Sequence, residues 1–456
     1  MKFKQTLLIA AFGLVGAGQA IAAVTPEEAA VLGDELTPFG AEKAGNADGT
    51  IPAWTGGLTE PPASYEMGSG KRPDPWADEQ PYLVITKDNM AEYADNLTEG
   101  TKALLERLGD DGYQIKVWPS HRSFAAPDWY YENTVYNATH TQLVDDGLRL
   151  EDVKSGTPFP IPKSGLEVYW NHLLRWEGTH IETEYKNLYK DKKGKTVLAS
   201  TAIGTQEWPH YNPDKDYGTG FEDYYMLRMD YIAPARRAGE KLLIIDPMDF
   251  TGGAGRRAWQ YLKGQRRVRR APSVAFDTPN AGAAGLATYD DGFMMNGSPE
   301  RYNWKLIGKK EIYVPYNSYD LAYMTPTDES MGERFINPDH NRWEKHRVWV
   351  VEGTLKEGSR HIYHRRTLFV DEDTWAVLAV NLYDGRDELW RIGYTYQTPN
   401  YEVPSGLALM HGHYDLQTGI YYMSATTSDT GGVFTDRAQK PARFWTSAGL
   451  STSGVR

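Results

Sequence analysis

Along most of the chain, short runs rich in Tyr, Thr, Val and Ile end at turn residues, the pattern of half-buried strands. Residues 128–144, 180–204, 223–233 and 240–247 read as strands. The second of these contains its own turn, Asp191 to Lys195, and so predicts a hairpin. The habit continues through 257–272, 305–317, 346–355, 361–384, 387–396 and 408–426. Strands in succession, with short connections and few helices between them, predict a mainly β (α+β) fold. Its centre is a large antiparallel sheet, curved or partly closed.

Two segments carry the helical period instead. Residues 98–109 run from a capping Thr98 to a stopping Gly109, and 164–178 run from Ser164 to Gly178. In the latter, Leu166, Tyr169 or Trp170, Leu173 and Trp176 fall on one broad apolar face. A helix packed on the sheet is the favoured reading, and a movable lid over a cavity is the sharper one. The chain divides into residues 1–23, a signal peptide; 24–82, a clasp and a Pro-rich extended segment; 83–430, the sheet domain; and 431–456, a loop-like tail.

The ends and the composition narrow the compartment. Lys2 and Lys4 precede an uncharged stretch, and Ala20-Ile21-Ala22 offers the small-x-small pattern of a signal-peptidase site. This predicts export, with cleavage after Ala22 or Ala23, and a periplasmic destination. The chain has no Cys, which excludes disulfides, thiolate metal sites and a lipid-modified N-terminal Cys. A formal net charge of -12 argues against nucleic acid as a partner. The 30 Tyr, 14 Trp and 13 Phe require either a large core or a large apolar binding surface.

Common catalytic signatures are missing: G-x-S-x-G, H-E-x-x-H and the P-loop pattern do not occur. The expectation is therefore a non-enzymatic protein without a cofactor. Residues 251–257, rich in glycine, lead into a strand-like run rather than a helix, so they read as a tight loop and not as a phosphate cradle. His411, His413 and Asp415 share one strand face, the nearest approach to a metal set. Hydrogen-bonded or surface histidines are the more ordinary reading of such a pattern, and no metal site is assigned. Asp145-Asp146, Asp290-Asp291 and Asp371-Glu372-Asp373 sit at apparent turns and read as solvated carboxylates. Arg256, Arg257, Arg266, Arg267, Arg269 and Arg270 concentrate basic charge in an acidic chain. Cross-strand ion pairs are the simpler account of them, and a landing site for anionic headgroups or an acidic partner is the functional one.

Residues 36–58 pack Gly, Pro, Asn and Asp around Trp54. An EF-hand register would require Ala44 and Thr55 as first and last ligands, which cannot serve. Asn46, Asp48 and Gly49 instead predict capped turns, with Ile51 and Trp54 pinning the segment to the sheet.

The stretches 36–58, 258–272, 302–317 and 365–385 resemble a proteobacterial exported family of unknown function, described as outer-membrane lipoprotein-sorting-like. That family is distantly similar to the periplasmic lipoprotein carriers LolA and LolB. The resemblance implies an incomplete barrel with helices over a hydrophobic cavity. It also implies work beside an inner-membrane transporter of the resistance-nodulation-division type and an outer-membrane protein. A carried acyl chain of roughly 15 methylenes needs shielding of about 12 kcal/mol, which calls for a real cavity. Trp259, Tyr261, Trp349, Val351, Tyr363, Phe369, Trp375 and Trp390 are the expected lining. A periplasmic carbohydrate-binding protein or hydrolase, and an envelope scaffold, are the competing readings.

Overall fold

The structure, a computed structural model, describes residues 24–452 except 213, 218–222 and 254; the signal-peptide reading falls outside the described residues. The strands are β1 (Leu83–Ile85), β2 (Ile115–Val117), β3 (Gln142–Val144), β4 (Arg149–Glu151), β5 (His180–Lys190), β6 (Thr196–Glu207), β7 (Asp223–Ala233), β8 (Lys241–Pro247), β9 (Arg257–Leu262) and β10 (Arg267–Arg270). They continue with β11 (Tyr302–Pro315), β12 (Trp343–Leu355), β13 (Arg365–Asp371), β14 (Val377–Tyr383), β15 (Leu389–Thr395), β16 (His411–Asp415), β17 (Tyr421–Thr426) and β18 (Gly432–Phe434). The helices are α1 (Pro26–Ala29), α2 (Glu99–Leu108), α3 (Asp128–His140), α4 (Gly165–Leu173), α5 (Thr327–Ser330) and α6 (Ser447–Thr452).

Two meanders, β5 to β10 and β11 to β17, form one sheet because β17 pairs antiparallel with β5. The 16-stranded sheet is antiparallel except where Trp343 of β12 meets Val117 of β2, and it does not close into a barrel. β10 forms one end and β1 the other, while β3 and β4 make a separate hairpin.

One face, here the inner face, is covered by α4 and the long connection 271–301. Ser164 and Glu167 cap α4 reciprocally. Every residue from Glu167 to Leu173 is buried, so this helix is packed rather than free-standing. Tyr169 stacks on Trp304 of β11 at 4.6 Å, and the Trp170 indole donates to the Gly147 carbonyl. On the outer face, α2 packs so closely that a Cβ at Gly100 would strike Asn381 and Ile392. Met226, Leu243, Ile245 and Tyr261 form a second outer cluster with Trp445 and Leu450 around α6.

Three sequence expectations need correction. Residues 128–140 are helical, not a strand, and the buried positions Tyr130, Thr134, Asn137 and Ala138 fall at helical spacing. Two of those four are polar, which hid the period behind β-prone Tyr and Thr. The tail from residue 431 is not all loop, since β18 extends the sheet along β5 and α6 covers β8 to β10. The turn carboxylates Asp290, Asp291, Asp371, Glu372 and Asp373 are buried rather than solvated. Their partners come from distant parts of the chain: Arg366 pairs with Asp290, and Arg122 grips both oxygens of Asp373. Among the described residues no helix is long and apolar enough to cross a membrane.

Candidate functional site

Strand alternation sends Tyr225, Leu227, Met229 and Tyr231 of β7 to the inner face, beside Ile244 of β8, Tyr185 of β5 and Tyr422 of β17. Leu409 and His411 approach from the other meander, and Phe293 of the 271–301 connection closes the top. The space between them is about 100 Å³. It is that small because the connection fills the sheet's interior. Gly282 O accepts from Ser200 Oγ at 2.7 Å at one end, Asp290 pairs with Arg366 at 2.7 Å in the middle, and Met295 O meets His172 Nε2 at 2.8 Å over α4.

Next to this cavity lies a larger cleft of about 780 Å³, whose apolar lining is Leu150, Pro247, Met248, Pro272 and Phe276. Arg149, Arg256, Arg257 and Arg270 stand around it, with Asp249 and Glu300 as the acidic members. Arg256 and Asn296 border both spaces and so form the partition between them. The partition is held firmly: Arg256 makes a two-pronged ion pair with buried Asp246 at 2.7 and 2.8 Å, and Tyr224 donates to Asn296.

From Asp291, on the wall of the inner cavity, a hydrogen-bonded relay runs back into the core. Asp415 accepts from Arg391, Arg391 donates to the Tyr363 hydroxyl, and Tyr363 donates to Asp291. Burial pulls His411 and His413 down to about 4, so both are neutral imidazoles near pH 7. Neither nitrogen of buried His413 has a hydrogen-bond partner, nor does Oδ1 of Asp291, which borders the cavity. Burial raises Asp290, but Arg366 and His361 outweigh it and hold the carboxyl below its usual range.

His411, His413 and Asp415 do not converge as a metal set, because Asp415 is taken by Arg391 and by the Trp390 indole. The described residues contain one tighter set, His346, Asp371 and Asp373, all buried and with atoms within 4.8 Å of one another. Its donors are already engaged: His346 Nε2 meets Glu344 at 2.9 Å, and Arg122 covers Asp373. The set is a buried polar network under the clasp.

None of the eight aromatic and aliphatic residues expected to line a cavity borders either space. Trp259 and Tyr261 face outward into the α6 cluster. Trp349 lies parallel to Trp375 at 6.5 Å, and Trp375 donates to the Phe39 carbonyl. Val351 and Phe369 are core, Tyr363 is in the polar relay, and Trp390 is tied to Asp415. The alternation that does line the cavity is visible in residues 223–233, but a sequence does not tell which face of a strand is inner.

Of the basic residues, Arg256 and Arg257 pair with Asp246 and Asp223, whereas Arg266, Arg267, Arg269 and Arg270 are exposed. In the clasp, Asn46 Oδ1 accepts from Ile51 N and Asp48 Oδ1 from Thr50 N, and Gly49 takes φ +73° between them. Asp48 also reaches Lys345 at 2.9 Å, and Trp54 packs edge-on against Phe39.

An uncharacterized protein of Pseudomonas aeruginosa is 41% identical over 444 residues, covering 96% of both chains. Among solved structures, a chain described as an outer membrane lipoprotein-sorting protein domain from Vibrio parahaemolyticus aligns with 62% of this chain and 97% of its own. The identity is 14% and the TM-score 0.43. A LolA superfamily protein from Nitrosomonas europaea aligns over 60% of this chain and 92% of its own, at 12% identity and TM-score 0.34. Residues 84–451 match the family described as Protein of unknown function (DUF1329), and the chain is a member of that family.

Proposed function

We propose that this protein is a non-enzymatic periplasmic carrier for a lipid or another hydrophobic molecule with an anionic end. The observation that supports this most is the cleft: about 780 Å³, lined by apolar side chains and by four arginines, of which Arg149, Arg256 and Arg257 are ion-paired and Arg270 is exposed. That volume lies within the roughly 300–1,000 Å³ of ordinary small-molecule sites, whereas the inner cavity of about 100 Å³ does not. A ligand that also entered the inner cavity would have to move the partition at Asn296 and residues 271–301 around it. The stated resemblance adds a transporter of the resistance-nodulation-division type and an outer-membrane protein as the stations between which the carrier runs.

The test is mass spectrometry of solvent extracts from protein isolated out of its native periplasm, with saturable binding of a fluorescent fatty-acid probe. Co-purification of an apolar molecule and displacement of the probe by it are the expected results. An empty extract with no saturable probe binding removes the proposal.

One observation favours a second reading. Exposed Trp129 overlooks a groove of about 600 Å³ with Asn212, Asp214, Lys215 and Gln439, an aromatic platform beside amide and charged groups suited to a sugar ring. Quenching of tryptophan fluorescence by oligosaccharides, lost in Trp129→Ala, is the result that reading requires.

A further inference from the structure

The strand at the end of the sheet carries charge that meets no acidic partner among the described residues. β10 pairs with β9 alone, and Arg266, Arg267, Arg269 and Arg270 are all exposed with no ion pair among the described residues. The chain has 61 acidic side chains against 49 basic ones, so acidic partners are abundant. Arg256 and Arg257, a few residues earlier, do find theirs in Asp246 and Asp223. Exposed Lys263, before Arg266 in the turn between β9 and β10, adds to the same edge.

The register places Arg267 opposite Leu262 and Arg269 opposite Gln260, on one face. Arg270, opposite Trp259, lies on the other. Charge therefore projects from both sides of the edge, and Arg270 also stands on the rim of the cleft.

We propose that this edge docks the protein on an anionic lipid bilayer and brings the cleft mouth to the headgroups. The proposal rests on the carrier reading for its purpose but not for its physics. A protein partner would be expected to bury an apolar centre inside a polar rim. The large apolar residues that are strongly exposed, such as Met67, Ile232 and Ile307, lie outside β9 and β10. A row of arginines without an apolar centre suits a surface whose attraction is its charge density, where each Lys or Arg contributes about 1 kcal/mol, or roughly fivefold in partitioning. Edge charges also discourage strand-to-strand aggregation, and that role alone predicts no preference among lipids.

The experiment is flotation of the mature chain with vesicles of phosphatidylcholine, alone or with phosphatidylglycerol, at low and high salt. Binding to the anionic vesicles only, released by salt, is expected. Arg267→Gln with Arg269→Gln should lower that binding about 25-fold, at about fivefold per arginine. Its melting temperature and its binding of a soluble fatty-acid probe should stay unchanged. Equal binding to both vesicle types, no binding to either, or full binding by the double variant overturns the proposal. So does tighter binding to an acidic polypeptide than to anionic vesicles, which would assign the edge to a protein. Loss of probe binding in the wild type would instead strike the carrier reading while leaving the docking result intact.

Discussion

Trp54 separates a structural clasp from a binding loop. Its ring meets Phe39 edge-on at 5.3 Å, its indole nitrogen donates to Phe124 O at 3.0 Å, and its backbone N–H donates to Lys43 O at 2.9 Å. Phe39, with no exposed surface, packs in turn on Phe124 at 5.0 Å, and its carbonyl accepts from Trp375. Trp54→Ala therefore deletes a large ring, one hydrogen bond worth about 1 kcal/mol and an aromatic pair worth about 1 kcal/mol. Replacement of a buried Trp by Ala costs about 3–5 kcal/mol. Trp54 is only partly buried, so a loss of about 3 kcal/mol is expected. Urea unfolding followed by fluorescence and circular dichroism measures the loss. Trp54→Phe should recover about half of it by restoring the aromatic contact. Neither space on the inner face includes Trp54, so fatty-acid probe affinity should stay within about twofold. A stability loss below about 1 kcal/mol with a tenfold loss of probe affinity would return this segment to the binding site.

Two further outcomes follow from the buried charges. Arg256→Met leaves Asp246 without its two-pronged cation and should cost about 3–5 kcal/mol, much of it regained when Asp246→Leu is added, as read by thermal melts. Burial and then neighbouring Asp373 push Asp371 up to about 6 from an ordinary 3.8. Its contribution to stability is therefore full below 3.8 and lost as pH rises through 6. Glu344 is opposite: His346 and Arg342 outweigh burial and hold it near 2, so its contribution is present above 4.5 and lost as pH falls through 2. Accordingly, the stability of wild type relative to Asp371→Asn should decline between pH 4 and 6 and level off above; a flat difference in unfolding experiments contradicts the placement of Asp371.

The strands were legible because alternation is local: β5, β7 to β10 and β13 to β17 lie within the stretches whose pattern announced them, and β6 and β12 overrun theirs by three residues. The join of β17 to β5 was not legible, since it pairs residues more than 230 positions apart. The same distance hid the burial of Asp371 to Asp373: their turn is written locally, but Arg122 and the clasp that cover it are not. Helix α3 was missed because its buried face includes Thr134 and Asn137, whose side chains bond to Tyr130 O and to Lys154 O and Thr157 O. Hydrogen bonding, rather than hydrophobicity, seats that face, and a hydropathy pattern does not register it. The lining of the cavity was misplaced for a different reason. Large aromatics were expected where ligand would sit, yet most of those eight were spent on the core and the polar relay.

The connection 271–301 decides whether a ligand could use the inner cavity as well as the cleft. It fills the inner face, and it does so under strain: Phe276, Ala284, Phe293 and Met294 all have positive φ, at 51°, 54°, 54° and 70°. These are four of the twelve such non-glycine residues among the described ones, in a segment of 31 residues. At about 1–2 kcal/mol each, the strain sums to about 4–8 kcal/mol and opposes the burial of the segment. A ligand that replaced its apolar contacts would release that strain, which lowers the cost of displacing it. Ala284 tests this cleanly, because its side chain is exposed and its removal costs no packing. Ala284→Gly should relieve about 1–2 kcal/mol of strain against about 0.4–1 kcal/mol of added chain entropy in the unfolded state. The closed arrangement would then be favoured by up to about 1.6 kcal/mol. If loading requires the segment to leave the inner face, stopped-flow binding of a fatty-acid probe should slow by up to about fifteenfold in this variant while thermal stability rises slightly. An unchanged association rate, with the rise in stability observed, would mean that ligand enters without moving the segment and would confine the binding site to the arginine-lined cleft.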